Sequence, residues 1–175
     1  MKDGRRFKIR DTVTIGVLAG MCAIATSIRI PLGAGAMVHL GTAFMFTVSI
    51  TFGGMYAGLS AAIGSAFFDL LMGFSPYTAW SFAIKGSAGL IAGVISHGLW
   101  PQGQAAATGG WLVRSVMGCI AAATWTLGGY FIAWWQVTGS LAVAVANIPA
   151  SLLTSAVGLV IALILAPKLK KALSR

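Results

Sequence analysis

Glutamate is absent from the 175 residues, and aspartate occurs three times, as Asp3, Asp11 and Asp69. Chemistry that needs several carboxylates, such as a calcium site or a two-carboxylate hydrolase, therefore has little to work with. Two histidines and two cysteines are a poor basis for a four-ligand zinc site, and no metal or cofactor is expected. Despite 23 glycines, no G-x-x-x-x-G-K-[ST] sequence occurs, so the chain has no phosphate-binding loop of that kind to power a reaction with ATP. No catalytic cluster of histidine and acid stands out either. Charge of any sign is scarce. Charged residues make up 9% of the chain, where a soluble surface carries about a quarter to a third. Hydrophobic residues reach 58%, with a mean hydropathy of +0.89. The solvent around most of this chain must be lipid.

The few charges are placed at the ends. Lys2, Arg5, Arg6, Lys8 and Arg10 precede the first apolar stretch, and Lys168, Lys170, Lys171 and Arg175 follow the last. Basic clusters can mark nucleic-acid binding. Here they flank apolar segments, and the positive-inside rule reads them as cytoplasmic tails, residues 1–10 and 167–175, around one transmembrane domain. No nucleic-acid partner is expected. With both termini cytoplasmic the number of crossings must be even.

Six crossings can be drawn: Asp11 to Ile28, Leu40 to Phe52, Met55 to Met72, Thr78 to Gly98, Trp111 to Trp135, and a last one between Ser140 and Ala166. All are read as helices, because no alternating pattern recurs and the apolar runs are too long for barrel strands. The first is too long for a signal-peptide core and is kept as a retained helix. Cys22 and Cys119 lie in apolar runs and read as small packing residues. The second segment is short and carries Thr42, Thr47, Ser49 and Thr51. The last contains Asn147-Ile148-Pro149, read either as a helix kinked at the proline or, by preference, as a helix that starts at Asn147 after an apolar loop from Ser140 to Ala146. The connections Arg29–His39, Gly73–Tyr77 and Gln136–Ala146 then face outward. The Gly53-Gly54 turn and the Leu99–Gly110 loop face inward.

Small residues recur every fourth position: Gly16 and Gly20, Ala19 and Ala23, Gly54 with Gly58 and Ala62, and Gly89 with Gly93. This spacing lets helices approach closely. Within the third and fourth segments it reads as internal packing, whereas the first segment has two overlapping stripes, one of which could face a partner. Ionisable residues at membrane depth are costly. Asp69 near the end of the third segment and Lys85 in the fourth fall at comparable depth in the outer half. They form either an ion pair that pins two helices or part of a pocket. Trp80, Tyr130, Trp134 and Asn147 belong to the same layer, as does His39, which could equally cap a helix. Aromatic walls and a few polar groups suit a flat ring, although each aromatic taken singly suits an interfacial belt.

Several stretches, in this order, resemble the substrate-binding S components of energy-coupling factor (ECF) vitamin transporters. They are Val38-His39-Leu40-Gly41-Thr42-Ala43, Phe52-Gly53-Gly54-Met55-Tyr56-Ala57-Gly58, Gly64 to Gly73, Ala83 to Gly93 and Asn147-Ile148-Pro149-Ala150-Ser151. The similarity is greatest to the branch for riboflavin, hydroxymethylpyrimidine and related rings. It implies six helices in a bacterial cytoplasmic membrane and an outward-facing vitamin site. It also implies a complex with a membrane scaffold, the T component, and two cytoplasmic ATPases. In that family a small-xxx-small motif on the first helix docks on the scaffold. Ala19 and Ala23 match it, with Gly16 and Gly20 beside them. The function expected is capture of a small heterocyclic vitamin or precursor without intrinsic ATPase activity. The alternatives are a small intramembrane enzyme or a ligand-free assembly protein.

Overall fold

A computed structural model describes residues 7–33, 36–100 and 110–173. The distal basic residues Lys2, Arg5, Arg6 and Arg175 and the polar stretch 101–109 of the Leu99–Gly110 connection lie outside the described residues. The element order is α1 (Ile9–Ser27), β1 (Arg29–Gly33), β2 (Ala36–His39), α2 (Gly41–Phe52), α3 (Gly54–Leu71), a 3₁₀ turn (Ser75–Tyr77), α4 (Thr78–Ser96), α5 (Trp111–Thr138), α6 (Leu141–Ala146) and α7 (Ile148–Leu173). Among the described residues, five helical stretches are long and apolar enough to cross a membrane: Ile9–Ser27, Gly54–Leu71, Ser75–Ser96, Trp111–Thr138 and Leu141–Leu173.

The bundle is turned inside out relative to a soluble one. Large aliphatic side chains such as Val13, Val17, Ile24, Met117, Leu153 and Val160 are exposed, whereas alanines and hydroxyl residues are buried. In lipid no solvent force drives large apolar groups inward, so close packing of small residues holds helices together. The sixth apolar segment, α2, has 12 residues. That is roughly 18 Å of helix, short of the ~30 Å hydrocarbon core. Its environment accounts for its length and its polarity. It packs against α1, α3, α4 and α7, and Phe46, Ile50 and Met45 on it are almost wholly buried. Thr47, Ser49 and Thr51 donate hydrogen bonds back to the carbonyls of Ala43, Met45 and Thr47 at 2.7, 2.8 and 2.8 Å. A helix shielded by protein on all sides need not match the full hydrocarbon thickness to cross, and its hydroxyls cost little when each meets a carbonyl.

Between α2 and α3 the chain turns at Gly53, whose φ of +89° suits glycine. Gly54 and Met55 donate to the Gly98 and Leu99 carbonyls, both at 2.9 Å, tying this turn to the end of α4. The α3–α4 contact is made through glycines. A Cβ built on Gly89 would fall 2.7 Å from the Ala57 carbonyl oxygen, and one on Gly93 would fall 2.4 Å from Gly54 Cα. The small-residue stripes of these two helices thus meet one another.

Three expectations are corrected. The Arg29–His39 connection, expected as a loop in an all-helical chain, is an antiparallel hairpin with Arg29 opposite His39 and Ile30 opposite Val38; strand pairing satisfies backbone groups that leave the helix. Residues 141–146, expected as a loop, form the short α6, and α7 runs through Pro167 to Leu173, so part of the expected basic tail is helical. Pro149 lies in the first turn of α7, where a missing N–H leaves no bond unmade. Asn147 accepts from Ser151 N–H through its backbone at 3.1 Å, while its side-chain amide donates back to the Val143 carbonyl at 2.9 Å.

The third correction concerns α1. Ala19 and Ala23 are buried. They face α3 at Gly64, where an added Cβ would lie 2.5 Å from the Ala19 carbonyl oxygen and 2.7 Å from Cys22 Cβ. That stripe is consumed by internal packing and is not open to a scaffold. Gly16 and Gly20 differ, with nothing among the described residues within 4 Å of a Cβ at either. Asp11, at the start of α1, holds that helix in place. It accepts from the Lys8 backbone N–H at 2.9 Å and from the Tyr56 hydroxyl of α3. Trp100 stands edge-on to both Tyr56 and Phe7, with centroid distances of 6.4 and 5.2 Å.

Candidate functional site

At the end of the bundle that carries the hairpin, the helices part around a cavity of about 250 Å³. Most of the elements send side chains into it. The 3₁₀ turn and α4 contribute Tyr77, Ser81 and Lys85; α3 contributes Ser65, Phe68 and Asp69; α5 contributes Thr126, Tyr130 and Trp134. From the hairpin come Met37 and His39, and from the start of α7 come Ser151 and Thr154. The recurrent spacing of four is the helical repeat that keeps one face turned inward.

Of the seven residues expected at a ligand site, six line this cavity: His39, Asp69, Lys85, Tyr130, Trp134 and Asn147. Trp80 does not line it and is corrected. The cavity face of α4 is fixed by Ser81 and Lys85, and a helix turns about 100° per residue, which swings Trp80 aside. Tyr77, one turn before Ser81, takes its place. Thr42, Thr126, Ser81 and Phe68 do not stand out in the sequence as ligand contacts. For Ser81 and Thr126 the signal is the four-residue spacing to Lys85 and Tyr130, for Phe68 its adjacency to Asp69, and for Thr42 its place in the short central helix.

Lys85 is 5% exposed. Its ammonium donates to Thr42 Oγ1 at 3.0 Å and stands 5.5 Å from the centroid of the Tyr130 ring, close enough for a cation–π contact. It does not donate to Asp69, whose Oδ2 is buried with no hydrogen-bond partner among the described residues. The two charged residues that the sequence allows as an ion pair therefore share a cavity without closing onto each other. Thr126 Oγ1 is likewise buried without a partner among the described residues. Ser81 Oγ and Tyr130 Oη lie 2.8 Å apart in a hydrogen bond, and Tyr130 and Trp134 lean together at 5.6 Å between centroids.

The hairpin closes one side. The Arg29 guanidinium stands 5.4 Å from the centroids of both Phe68 and Phe74, and it donates weakly to Met72 Sδ at 3.7 Å. It therefore fastens β1 to the end of α3. Opposite it on β2, His39 accepts from the Gly41 backbone N–H through Nδ1 at 3.2 Å, which leaves Nε2 as the protonated nitrogen. Burial first, then the positive charges of Lys85 and Arg29, push its pKa down to about 3. His39 is thus a neutral donor that also caps the start of α2.

A hydroxyl- and aromatic-lined cavity at one end of a helical bundle, with one lysine and one aspartate set against each other, defines a small-molecule binding protein of the membrane. The fold agrees. A solved structure described as "Structure and mechanism of the S component of a bacterial ECF transporter" superposes with a TM-score of 0.70 at 17% identity, covering 95% of this chain and 98% of that one. The family model for "ECF-type riboflavin transporter, S component" matches residues 6–171. The chain belongs to that family of S components. It is accordingly a multi-pass membrane protein and a transporter subunit, not an enzyme. Among curated protein sequences, none matches it.

Proposed function

We propose that this chain captures a small heterocyclic vitamin or vitamin precursor, of the hydroxymethylpyrimidine, pyridoxine or riboflavin type, from outside a bacterial cytoplasmic membrane. It delivers the molecule inward through a T-component scaffold driven by two cytoplasmic ATPases. The observation that carries this reading is the hairpin-end cavity, in which aromatic rings flank the buried Lys85 and Asp69. Tyr130 and Trp134 stack on a flat ring; Lys85, Asp69, Thr126 and Asn147 meet its edge.

Six crossings with both termini cytoplasmic suit this scheme. Phe7 ahead of α1 meets Trp100 after α4, and Lys170 near the end of α7 lies close to His97. The two chain ends therefore share one end of the bundle, opposite the cavity, and the basic residues there fit the inner leaflet. For scaffold docking, the open Gly16–Gly20 face of α1 is the candidate, flanked by exposed Val13, Val17 and Met21.

The test is direct. The purified chain in nanodiscs, titrated with these ring compounds and followed by native mass spectrometry, should take up one molecule per chain without hydrolysing ATP. Reconstituted with scaffold and ATPases, it should accumulate the compound. A folded chain that binds none of them refutes the reading.

A further inference from the structure

We propose that the seam between α5 and α7 seats a hydrocarbon chain, the acyl tail of a membrane phospholipid, which enters from the bilayer at mid-membrane depth. This seat is separate from the hairpin-end cavity, and it stands on the two helices crossing the membrane, whatever the substrate.

Glycine contacts close the other joints of these helices. A Cβ on Gly118 of α5 would fall 2.7 Å from the Ala92 carbonyl oxygen of α4, and one on Gly129 would fall 2.8 Å from Ile84 Cγ1. On α7, a Cβ on Gly158 would fall 3.1 Å from the Ala43 amide nitrogen of α2. Among the described residues, no glycine of α5 or α7 brings the other of the two this close. A groove of about 220 Å³ stands open between them instead. Phe46 of α2 and Cys119 of α5 form its floor and are almost wholly buried, while Ile120 and Leu152, each about half exposed, flank its mouth. Ser155 borders both this groove and the cavity that holds Lys85 and Asp69, so the two hollows share a wall.

Depth and chemistry name the occupant. The lining runs from Cys119 to Leu127 in the middle of Trp111–Thr138, and from Leu152 to Leu159 in the middle of the apolar stretch Leu141–Leu173. At that depth the surrounding solvent is hydrocarbon. Water does not suit the groove, because a buried water needs about two to four polar partners. Among the described residues that line it, Thr124 and Ser155 are the only hydroxyls, and Thr124 already donates to the Ile120 carbonyl of its own helix at 3.0 Å. Left unfilled, the groove would forfeit dispersion contacts along both helices. A dry apolar cavity of ~150 Å³ takes up benzene; this one is larger and opens toward lipid, so a flexible chain can enter it.

The experiment uses the wild-type chain in phosphatidylcholine nanodiscs doped with a phosphatidylcholine that carries a diazirine midway along one acyl chain. After illumination, adducts are mapped by peptide mass spectrometry, with no ring compound present. Cys119 and Phe46 should be labelled at least as strongly as Met117, which lies at nearly the same depth on α5 and is 57% exposed. Ala156 is exposed at the edge of the groove and does not line the other cavity. Ala156→Trp should therefore lower the labelling of Cys119 by about tenfold and leave Met117 unchanged. Labelling that follows exposure, with Met117 marked and Cys119 and Phe46 bare, overturns the inference. So does labelling of Cys119 that Ala156→Trp leaves unchanged. Bare Cys119 and Phe46 in discs shown by mass to hold two chains assign the groove to a second copy and overturn it equally. If Ala156→Trp does not fold, Ala156→Leu takes its place, and the wild-type ratio of Cys119 to Met117 labelling decides in either case.

Discussion

Replacing Gly93 by alanine adds one methyl group, yet the geometry around it makes that methyl expensive. Its Cβ would lie 2.4 Å from both Gly54 Cα and Gly54 N, and 2.6 Å from Gly53 C. All three are backbone atoms, so no side-chain rotation relieves the clash. Ordinary carbon contact begins near 3.5 Å, so α4 must retreat from α3 by about 1 Å. Overpacking of this kind costs about 1–3 kcal/mol. The retreat also carries Lys85, two turns away on α4, relative to Asp69 on α3. Gly16→Ala is the control. Nothing lies within 4 Å of its Cβ, and the change from glycine should be neutral or stabilise the helix by up to ~1 kcal/mol. Thermal unfolding in detergent and ligand titration would be measured on both variants. Gly93→Ala should lower the melting temperature and weaken binding about tenfold or more, while Gly16→Ala should do neither. Equal behaviour of the two variants would refute the argument that glycine contacts between α3 and α4 hold the cavity walls.

On α1, Gly20→Trp should block assembly with the T component, read by co-purification, and spare substrate binding; Ala23→Trp should instead destabilise the chain, because its side chain is buried and its backbone lies close to α3 at Gly64. Tyr130→Phe removes the hydrogen bond to Ser81 but keeps the ring, so binding should weaken by less than about tenfold, whereas Tyr130→Ala should weaken it further. Acid should destabilise the fold through His39. It stays neutral in the folded chain down to a pKa of about 3, against 6.5 ordinarily, so the unfolded chain binds the extra proton and stability falls as pH drops below about 6.5, by at most ~1.4 kcal/mol per pH unit. His39→Gln should flatten that dependence in pH-resolved unfolding.

The helices are legible in the sequence because lipid leaves the backbone few choices: an apolar run must satisfy its own hydrogen bonds. Thr78 reads as the start of a helix, and α4 begins there. The hairpin is not legible. Val38-His39 reads as the lead-in to a helix, and pairing with Arg29-Ile30 depends on a partner strand that apolar periodicity does not announce. The cavity is half legible. Asp69 and Lys85 declare themselves by their cost at membrane depth. Thr42 and Thr126 do not, because a threonine in a membrane helix usually satisfies itself on its own backbone, as Thr47 and Thr51 do. Trp80 misleads because depth alone does not choose a helix face; the face is set by the four-residue spacing from Tyr77 to Ser81 to Lys85. On α1, two interleaved stripes are visible, but which one faces inward depends on Gly64, a residue of another helix.

The central claim, that Lys85 and Asp69 meet a ligand and do not merely pin α3 to α4, is tested most directly by binding to the double variant Lys85→Met with Asp69→Asn. The two changes together remove both buried charges at similar volume, which is far less destabilising than leaving one charge alone. The account predicts a folded protein, with a melting temperature near that of wild type, that has lost about a hundredfold or more in affinity for its ring compound. A folded double variant that binds as wild type does would contradict it.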